Sequence, residues 1–280
     1  MSNNIHPTAI VEEGATLHGN VTIEPYAIIR KNVVLHQGVT IKAHALIDGY
    51  TTIGENTTIY PFACIGLKTQ DLKYRGEKTY VKIGKNCEIR EFVTIHSSCG
   101  ENTEVIVGDF CLIMAYCHIA HNCEVGNYVI MSNNATLAGH VTVGDKAVIG
   151  GFTPIHQFVR VGTHAMVGGM SRVTHDIAPY TIGGGIPYKF GGINIVGLKR
   201  NKFPLATRKA ISQCYKLVYR STLTLQEAIA RMEKEVEAFP EVLHFIEFCK
   251  KSKRGLMTLD SNQSEEEQVE EGEPESISLK

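Results

Sequence analysis

The sequence predicts an all-β parallel β-helix followed by an α-helical C-terminal domain. Three observations carry this expectation. An aliphatic residue recurs every six positions from Ile5, through the blocks IHPTAI, VEEGAT, LHGNVT, IEPYAI and onward to Ile65. The fifth residue of each block is small or β-branched, as at Ala9, Ala15, Val21, Ala27 and Val33. Beyond Val173 the six-residue rhythm stops, and after a Gly/Pro-rich connection apolar residues return at helical spacing.

A period of six fits no amphipathic α-helix, whose apolar stripe repeats at about 3.6 residues. It fits a coil in which each hexapeptide is one short strand plus a corner. Three such faces make a coil of about 18 residues, with successive coils about 4.8 Å apart, the spacing of neighbouring strands. The aliphatic first residues fill the prism, and small fifth residues fit its tight interior. The rhythm breaks over 67–82 and returns in phase at Ile83, Ile89 and Ile95. It breaks again over 97–106 and resumes at VGDFCL, running through IMAYCH, IAHNCE and VGNYVI to VGGMSR. Cys87, Cys111, Cys117 and Cys123 all fall on the fifth position. There a thiol serves as a compact hydrophobe.

The connection PYTIGGGIPYKFGGIN leads into the helices. Ala210, Ile211, Cys214, Leu217 and Val218 form a helical stripe. Thr224 and Glu227 make a capping-box pattern before the next helix. Pro240 suits the first turn of another. The expected organisation is a β-helix over 1–186 with insertions at 67–82 and 97–106, then a helical domain over 187–259. The stretch 260–280 is acidic, nearly devoid of apolar residues, and expected to be disordered.

Composition excludes several classes. The formal net charge of −1 gives no global attraction to nucleic acid or an anionic membrane. Apolar runs are short, and none approaches the roughly 20 residues that a membrane span needs. The start MSNNIHPTAI has no cationic segment followed by an apolar run, so no secretory signal is expected and the chain reads as cytoplasmic. Eight cysteines without a CxxC then read as reduced thiols rather than a disulfide framework or a thiolate zinc site.

The stretch HIAHNC, 118–123, is open on spacing alone to three readings: a zinc site, a catalytic pair, or polar residues on an ordinary wall. The register narrows them. Cys123 points inward, whereas His118 and His121 occupy neither inward position. Residues 18 apart stack, so His121 lies under Gly139 and then Gln157, with His140 and His156 next to them. The three histidines His121, His140 and His156 are expected along one outer edge, with Gly139 and Gly151 beside them. Glycine there lets a backbone N–H approach a ligand closely. The first insertion, LKTQDLKYRGEKTY, adds Asp71, Lys73 and Arg75 on a loop that breaks a regular scaffold.

The stretches IHPTAIVEEGA, QDLKY, AHIAHNC, NNATLAGHV, HQF, NIVGLKR and YKLVYRS, in that order from residue 1 to about 258, closely resemble the acyl-[acyl carrier protein]–UDP-N-acetylglucosamine O-acyltransferases. These enzymes begin lipid A synthesis in Gram-negative bacteria. The resemblance implies a left-handed β-helix and a homotrimer with active sites between subunits. It also implies acyl carrier protein and UDP-N-acetylglucosamine as partners, and neither cofactor nor metal. By motif, His121 resembles the general base and Gly139 the glycine whose N–H serves as oxyanion hole. Asp71 and Lys73 match sugar-nucleotide and phosphate contacts, and Gln70 beside them is expected to bind substrate. His118, His140 and His156 match substrate-positioning histidines, and His96, Gly151 and Gln157 are expected to bind substrate beside them. Asn194 and Arg200 match nucleotide-binding positions, and Gly169 a place where small size leaves room for an acyl chain.

Some positions depart from the family pattern. Asn122 stands where the pattern has aspartate after the base, and Val196 where it has an acidic residue near uracil. Asn201 replaces a second arginine, and Pro187 a histidine at the end of the acyl groove. A non-catalytic β-helical scaffold is one rival reading, against which the ordered outer line of histidines and the charged loop argue; two enzymatic rivals stand beside it. One is a β-helical zinc hydro-lyase resembling the γ-class carbonic anhydrases, with His118, His121 and a neighbouring subunit's histidine on the metal. The other is the N-acyltransferase of the same pathway or a coenzyme-A-dependent relative, against which QDLKY and GLKR speak. Lys199, Arg200, Lys202, Arg208 and Lys209 form a plausible docking patch for an acidic carrier protein.

Overall fold

The computed structural model describes residues 2–257; the acidic stretch expected to be disordered lies outside the described residues. Twenty-five short strands, from Asn4–Ile5 to Met166–Val167, wind into a prism with three parallel faces. The first face holds eleven strands, counting two added beyond the coil, and the second and third hold eight each. Pairing is in register at the repeat: Thr22 pairs with Thr40 and Ile23 with Ile41. Across the first insertion Ile59 pairs with Ile89, so the phase survives it.

The interior is built as the repeat dictates. Ile29, Leu35, Ile41, Ile47 and Ile65 are fully buried first-position residues, and Ala27, Val33, Val39, Ala45 and Ala63 fully buried fifth-position ones. The fourth residue of most blocks makes the corner at positive φ, as at Asn122 (57°), His140 (61°) and Phe158 (65°). Asparagine and glycine tolerate that region; other residues pay for it. Aromatic corner residues recover part of the cost by stacking from coil to coil. Tyr26, His44, Phe62, Phe92 and Tyr116 form one such ladder, with ring centroids 4.9–5.1 Å apart.

The interior thiols do more than fill space. Each Sγ–H donates to a corner carbonyl one coil up: Cys87 to Gly108 at 3.1 Å, Cys111 to Gly126 at 3.0 Å, Cys117 to Ser132 at 3.1 Å and Cys123 to Ala138 at 3.1 Å. The Thr57 hydroxyl serves the Gly84 carbonyl in the same way at 2.7 Å.

Both insertions leave the coil at one edge, between the second and third faces. The first departs after strand Cys64–Leu67 and rejoins at Tyr80–Ile83, and the second departs after Thr94–His96 and rejoins at Glu104–Val107. At its C-terminal end the first face continues through Thr181–Gly184 and antiparallel Lys189–Ile193. Four helices follow: α1 (Ile195–Arg200), α2 (Leu205–Tyr219), α3 (Leu225–Glu235) and α4 (Pro240–Lys250). Thr224 and Glu227 form the capping box at α3, and Pro240 occupies the first turn of α4. Ile211, Cys214, Met232 and Phe245 make a second core that also takes in Ala178 and Tyr180 from the coil's end. Asp176, 1% exposed, pins the two parts together. It accepts from the Arg160 backbone N–H at 2.8 Å and the Ser252 hydroxyl at 2.9 Å, while the Arg160 guanidinium lies over Phe248.

Candidate active site

The site grows from the edge between the second and third faces. Strand His118–Ile119 pairs with Thr136–Leu137, which pairs with Pro154–Ile155. That register sets His121, Gly139 and Gln157 at equivalent corners of three successive coils. The two insertions emerge from this edge on the two coils below, so the chain gathers its irregular segments where the histidines stand.

Around His121 the geometry is tight. A Cβ placed on Gly139 would lie 2.3 Å from the imidazole Cε1 and 2.4 Å from Nε2. Glycine is therefore required by the ring's position rather than by backbone conformation. The imidazole Nδ1 is 2.9 Å from the Asn122 Oδ1. That same oxygen accepts from the Cys99 N–H at 3.3 Å, and the Asn122 Nδ2 donates to the Cys99 carbonyl at 3.1 Å. The second insertion thus clamps Asn122 by its backbone and fixes the amide's orientation. With Oδ1 already an acceptor, Nδ1 carries the ring proton and Nε2 keeps its lone pair toward the cavity.

The first insertion folds across this pair. The Asp71 Oδ2 lies 3.6 Å from His121 Nε2, and Asp71 Oδ1 accepts from the Lys73 N–H at 2.8 Å. That backbone bond is the leading reason the Asp71 carboxyl sits below the usual range. Between loop and coil lies a cavity of about 620 Å³. The loop lines it with Thr69, Gln70, Asp71, Leu72 and Lys73, and the coil with His96, His118, Ala120, His121, Thr136, Ala138 and Gln157.

Burial lowers the basicity of three neighbouring histidines, His96, His118 and His140. Burial pushes His118 down to about 4, helped by neighbouring His96, and its Nδ1 bonds the Thr94 hydroxyl at 2.7 Å. Burial lowers His96 as well; its Nδ1 is buried without a hydrogen-bond partner, edge-on to His118 at 5.0 Å. His140 meets the His121 ring edge-on at 5.2 Å and stacks on Phe158 at 4.7 Å. Burial, then the nearby His121, lowers its pKa.

Gln70, Asp71, Lys73, His96, His118, His121 and Gln157 therefore meet at one cavity, with Gly139 and His140 against His121. The remaining expected residues stand apart from it on this chain. His156 is exposed, its ring turned to the Gln157 carbonyl. Gly151, expected beside the histidines, lies instead on the edge between the first and second faces, where it follows strand Val148–Ile149. Gly169 stacks next to Gly151 on that same edge. Asn194 is buried as the N-cap of α1, its Nδ2 donating to the His164 carbonyl, and Arg200 ends that helix exposed. Thr94, Thr136, Ala120 and Ala138 escaped the sequence reading. The in-register pairing of Thr94 and Thr136 with His118 would have found the first two.

Among the described residues no three of His, Cys, Asp and Glu converge as a metal-ligand set. A hexapeptide coil with a histidine packed on a glycine beside a loop-covered cavity is the arrangement of the hexapeptide-repeat transferases. Residues 104–139 match the bacterial transferase hexapeptide family, and residues 176–257 match the second domain of UDP-N-acetylglucosamine O-acyltransferase. Acyl-[acyl-carrier-protein]–UDP-N-acetylglucosamine O-acyltransferase of Chlamydia caviae is 54% identical over 95% of this chain and 96% of its own. The enzyme of the same name from Chlamydia trachomatis serovar L2 is 56% identical over 96% of this chain and 97% of its own. Among solved structures, a UDP-N-acetylglucosamine acyltransferase from Bacteroides fragilis superposes with TM-score 0.88 at 38% identity, covering 90% of this chain and 99% of that one. Another from Campylobacter jejuni gives 0.85 at 40%, covering 91% and 99%. The chain belongs to the acyl-[acyl-carrier-protein]–UDP-N-acetylglucosamine O-acyltransferase family, and its fold is the left-handed parallel β-helix with a helical C terminus that the sequence predicts.

Proposed function

We propose that the protein transfers a long fatty acyl chain from acyl carrier protein to the 3-hydroxyl of UDP-N-acetylglucosamine, the first step of lipid A biosynthesis. The observation that carries this is His121, its Nε2 open to the cavity and its ring packed against Gly139. Nε2 takes the proton of the sugar 3-hydroxyl as that oxygen attacks the thioester carbonyl. The Gly139 N–H receives the negative charge that develops on the carbonyl oxygen. Collapse expels the carrier's thiolate, which recovers the proton from the imidazolium. Gln70, Asp71 and Lys73 orient the sugar nucleotide. His118 and His140, their basicity lowered by burial, position groups on the substrate.

Asn194, Arg200, Gly151, His156 and Gly169 lie away from this chain's cavity. In a homotrimer, with the site between subunits, a neighbouring copy brings such residues to it. The exposed ladder Tyr26, Phe62, Phe92 and Tyr116 supports burial of that edge by another copy. The basic start of the helical domain, Lys199 to Lys209, is the docking surface for the acidic carrier. The reaction belongs in the cytoplasm; among the described residues no helix is long and apolar enough to cross a membrane.

The test is turnover of UDP-N-acetylglucosamine with acyl carrier proteins of several chain lengths, beside His121→Ala. Loss of a general base lowers kcat by about 100- to 10,000-fold. Near-normal turnover of that variant would overturn the assignment.

A further inference from the structure

The peptide that joins Ala138 to Gly139 is trans, so its carbonyl and its N–H point in opposite directions. Its carbonyl turns inward and accepts the Cys123 Sγ–H at 3.1 Å, receiving no other hydrogen bond among the described residues. Its N–H therefore turns outward, beside the His121 ring. Burial pushes the Cys123 thiol up to about 12, so it stays a donor throughout the range in which an enzyme is assayed.

Equivalent corners explain what such an outward N–H is for. Where Thr57 serves the Gly84 carbonyl, the next N–H, of Lys85, donates to Asp109 Oδ1 at 2.9 Å. Where Cys87 serves Gly108, the Asp109 N–H donates to Asn127 Oδ1 at 2.8 Å. Where Cys111 serves Gly126, the Asn127 N–H donates to Asp145 Oδ1 at 2.8 Å. At these three corners an interior donor holds the carbonyl and an oxygen from the coil above takes the N–H. At the Cys117 corner the Ser132 carbonyl is held in the same way, but the residue above is Gly151 and the Asn133 N–H has no acceptor among the described residues. Two of the three capping oxygens belong to carboxylates. At Gly139 the side chain in the capping position is Gln157, which lines the cavity and leaves the Gly139 N–H without an acceptor among the described residues. The fold thus presents, next to the base, a place shaped for a negative oxygen and keeps it open.

We infer that Cys123 is a positioning residue for the oxyanion hole, its thiol anchoring and polarising the Ala138–Gly139 peptide so that the Gly139 N–H is a fixed, strengthened donor. A carbonyl that accepts a hydrogen bond makes its own amide N–H a better donor, because chained bonds polarise one another. The inference rests on the reading of Gly139 as oxyanion donor and adds the group that holds it.

The experiment compares the full-length Cys123→Val, Cys123→Ser, Cys111→Val and His121→Ala variants by kcat, by KM for UDP-N-acetylglucosamine and by thermal melting. Valine keeps the volume without the donor and already fills this position as Val129, Val141 and Val159. Cys123→Val is expected to lower kcat about two- to fivefold, the worth of one weak S–H···O contact. KM should stay put, and Cys123→Ser should restore kcat through its hydroxyl. Cys111→Val, which removes the same bond at a corner away from the cavity, should turn over as wild type does. Wild-type kcat in Cys123→Val, equal losses in Cys123→Val and Cys123→Ser, or an equal loss in Cys111→Val would each overturn the inference while His121→Ala stays inactive and the site reading stands. Normal turnover of His121→Ala would instead overturn the site reading, and the inference with it.

Discussion

At the scale of single residues, Gly139 marks the limit of what spacing reveals. The count of 18 from His121 identifies it, but glycine's usual meaning, a backbone freed of its Cβ to meet a ligand, is only half of its role. The other half is the imidazole packed into the space where a Cβ would stand. Because that ring is also held by Asn122, it has no low-cost way to retreat. Gly139→Ala is therefore expected to lower the melting temperature by a few degrees, the cost of overpacking against a held ring, and to lose about 100-fold in kcat/KM, the penalty of misplacing a reacting group by about 1 Å. Steady-state kinetics beside a melting curve check this; a variant with wild-type kcat/KM would show that the ring moves freely. The cysteines show a similar limit. Their inward position was legible, but their bonds to corner carbonyls were not, since each joins residues on different coils whose local geometry no periodicity encodes.

At the scale of elements, the strands were legible because burial imposes a two-position rule on every hexapeptide. The insertions were not, because nothing repeats in them. QDLKY could be marked as a functional loop, yet the approach of Asp71 to His121 depends on how the loop folds back across the coil. The clamp of Cys99 on Asn122 was invisible for the same reason. It also answers how the base is oriented without the carboxylate of the family pattern: a neutral amide, itself held by two backbone bonds, accepts from Nδ1. Two substitutions separate orientation from charge. Asn122→Ala removes the acceptor and is expected to lower kcat about tenfold or more with KM unchanged, since the ring loses its tautomer and its tether. Asn122→Asp restores an acceptor and adds an anion that stabilises the imidazolium. Its acid limb of kcat/KM against pH is expected at higher pH than in the native enzyme, while its loss of the Nδ2 donor loosens the Cys99 loop. pH–rate profiles of the three proteins decide; coincident profiles for Asn122→Asp and native enzyme would contradict the role of Asn122.

At the scale of the whole molecule, Phe190 packs against both cores, and the end of the coil is covered by the helical domain at His164. The sequence located both cores by a change of period from six to helical spacing, but it gave no sign of what joins them. His164 is a corner residue at φ 56°, 6% exposed, edge-on to Phe203 and stacked near Tyr180, whose hydroxyl bonds His244 at 3.0 Å. Burial first, then Lys146, holds the His164 imidazole down to about 4, with Asp145 opposing and His244 adding to the depression. His244 is itself lowered by burial and by Arg160. The sign follows from linkage. Between the unfolded value near 6.5 and the folded value near 4, the unfolded chain binds the proton and the folded chain does not, so stability is full above pH 6.5 and falls as pH drops toward 4. At pH 5 His164 alone removes about 2 kcal/mol. Phenylalanine already occupies the equivalent left-handed corner at Phe110, Phe152 and Phe158, so His164→Phe fits the backbone and has no charge to acquire. Chemical denaturation at pH 7 and pH 5 should show the native protein losing more stability than His164→Phe, the gap closing by about 2 kcal/mol in the variant. Equal pH dependence in both proteins would mean that the joint between the domains opens to water before His164 takes up its proton.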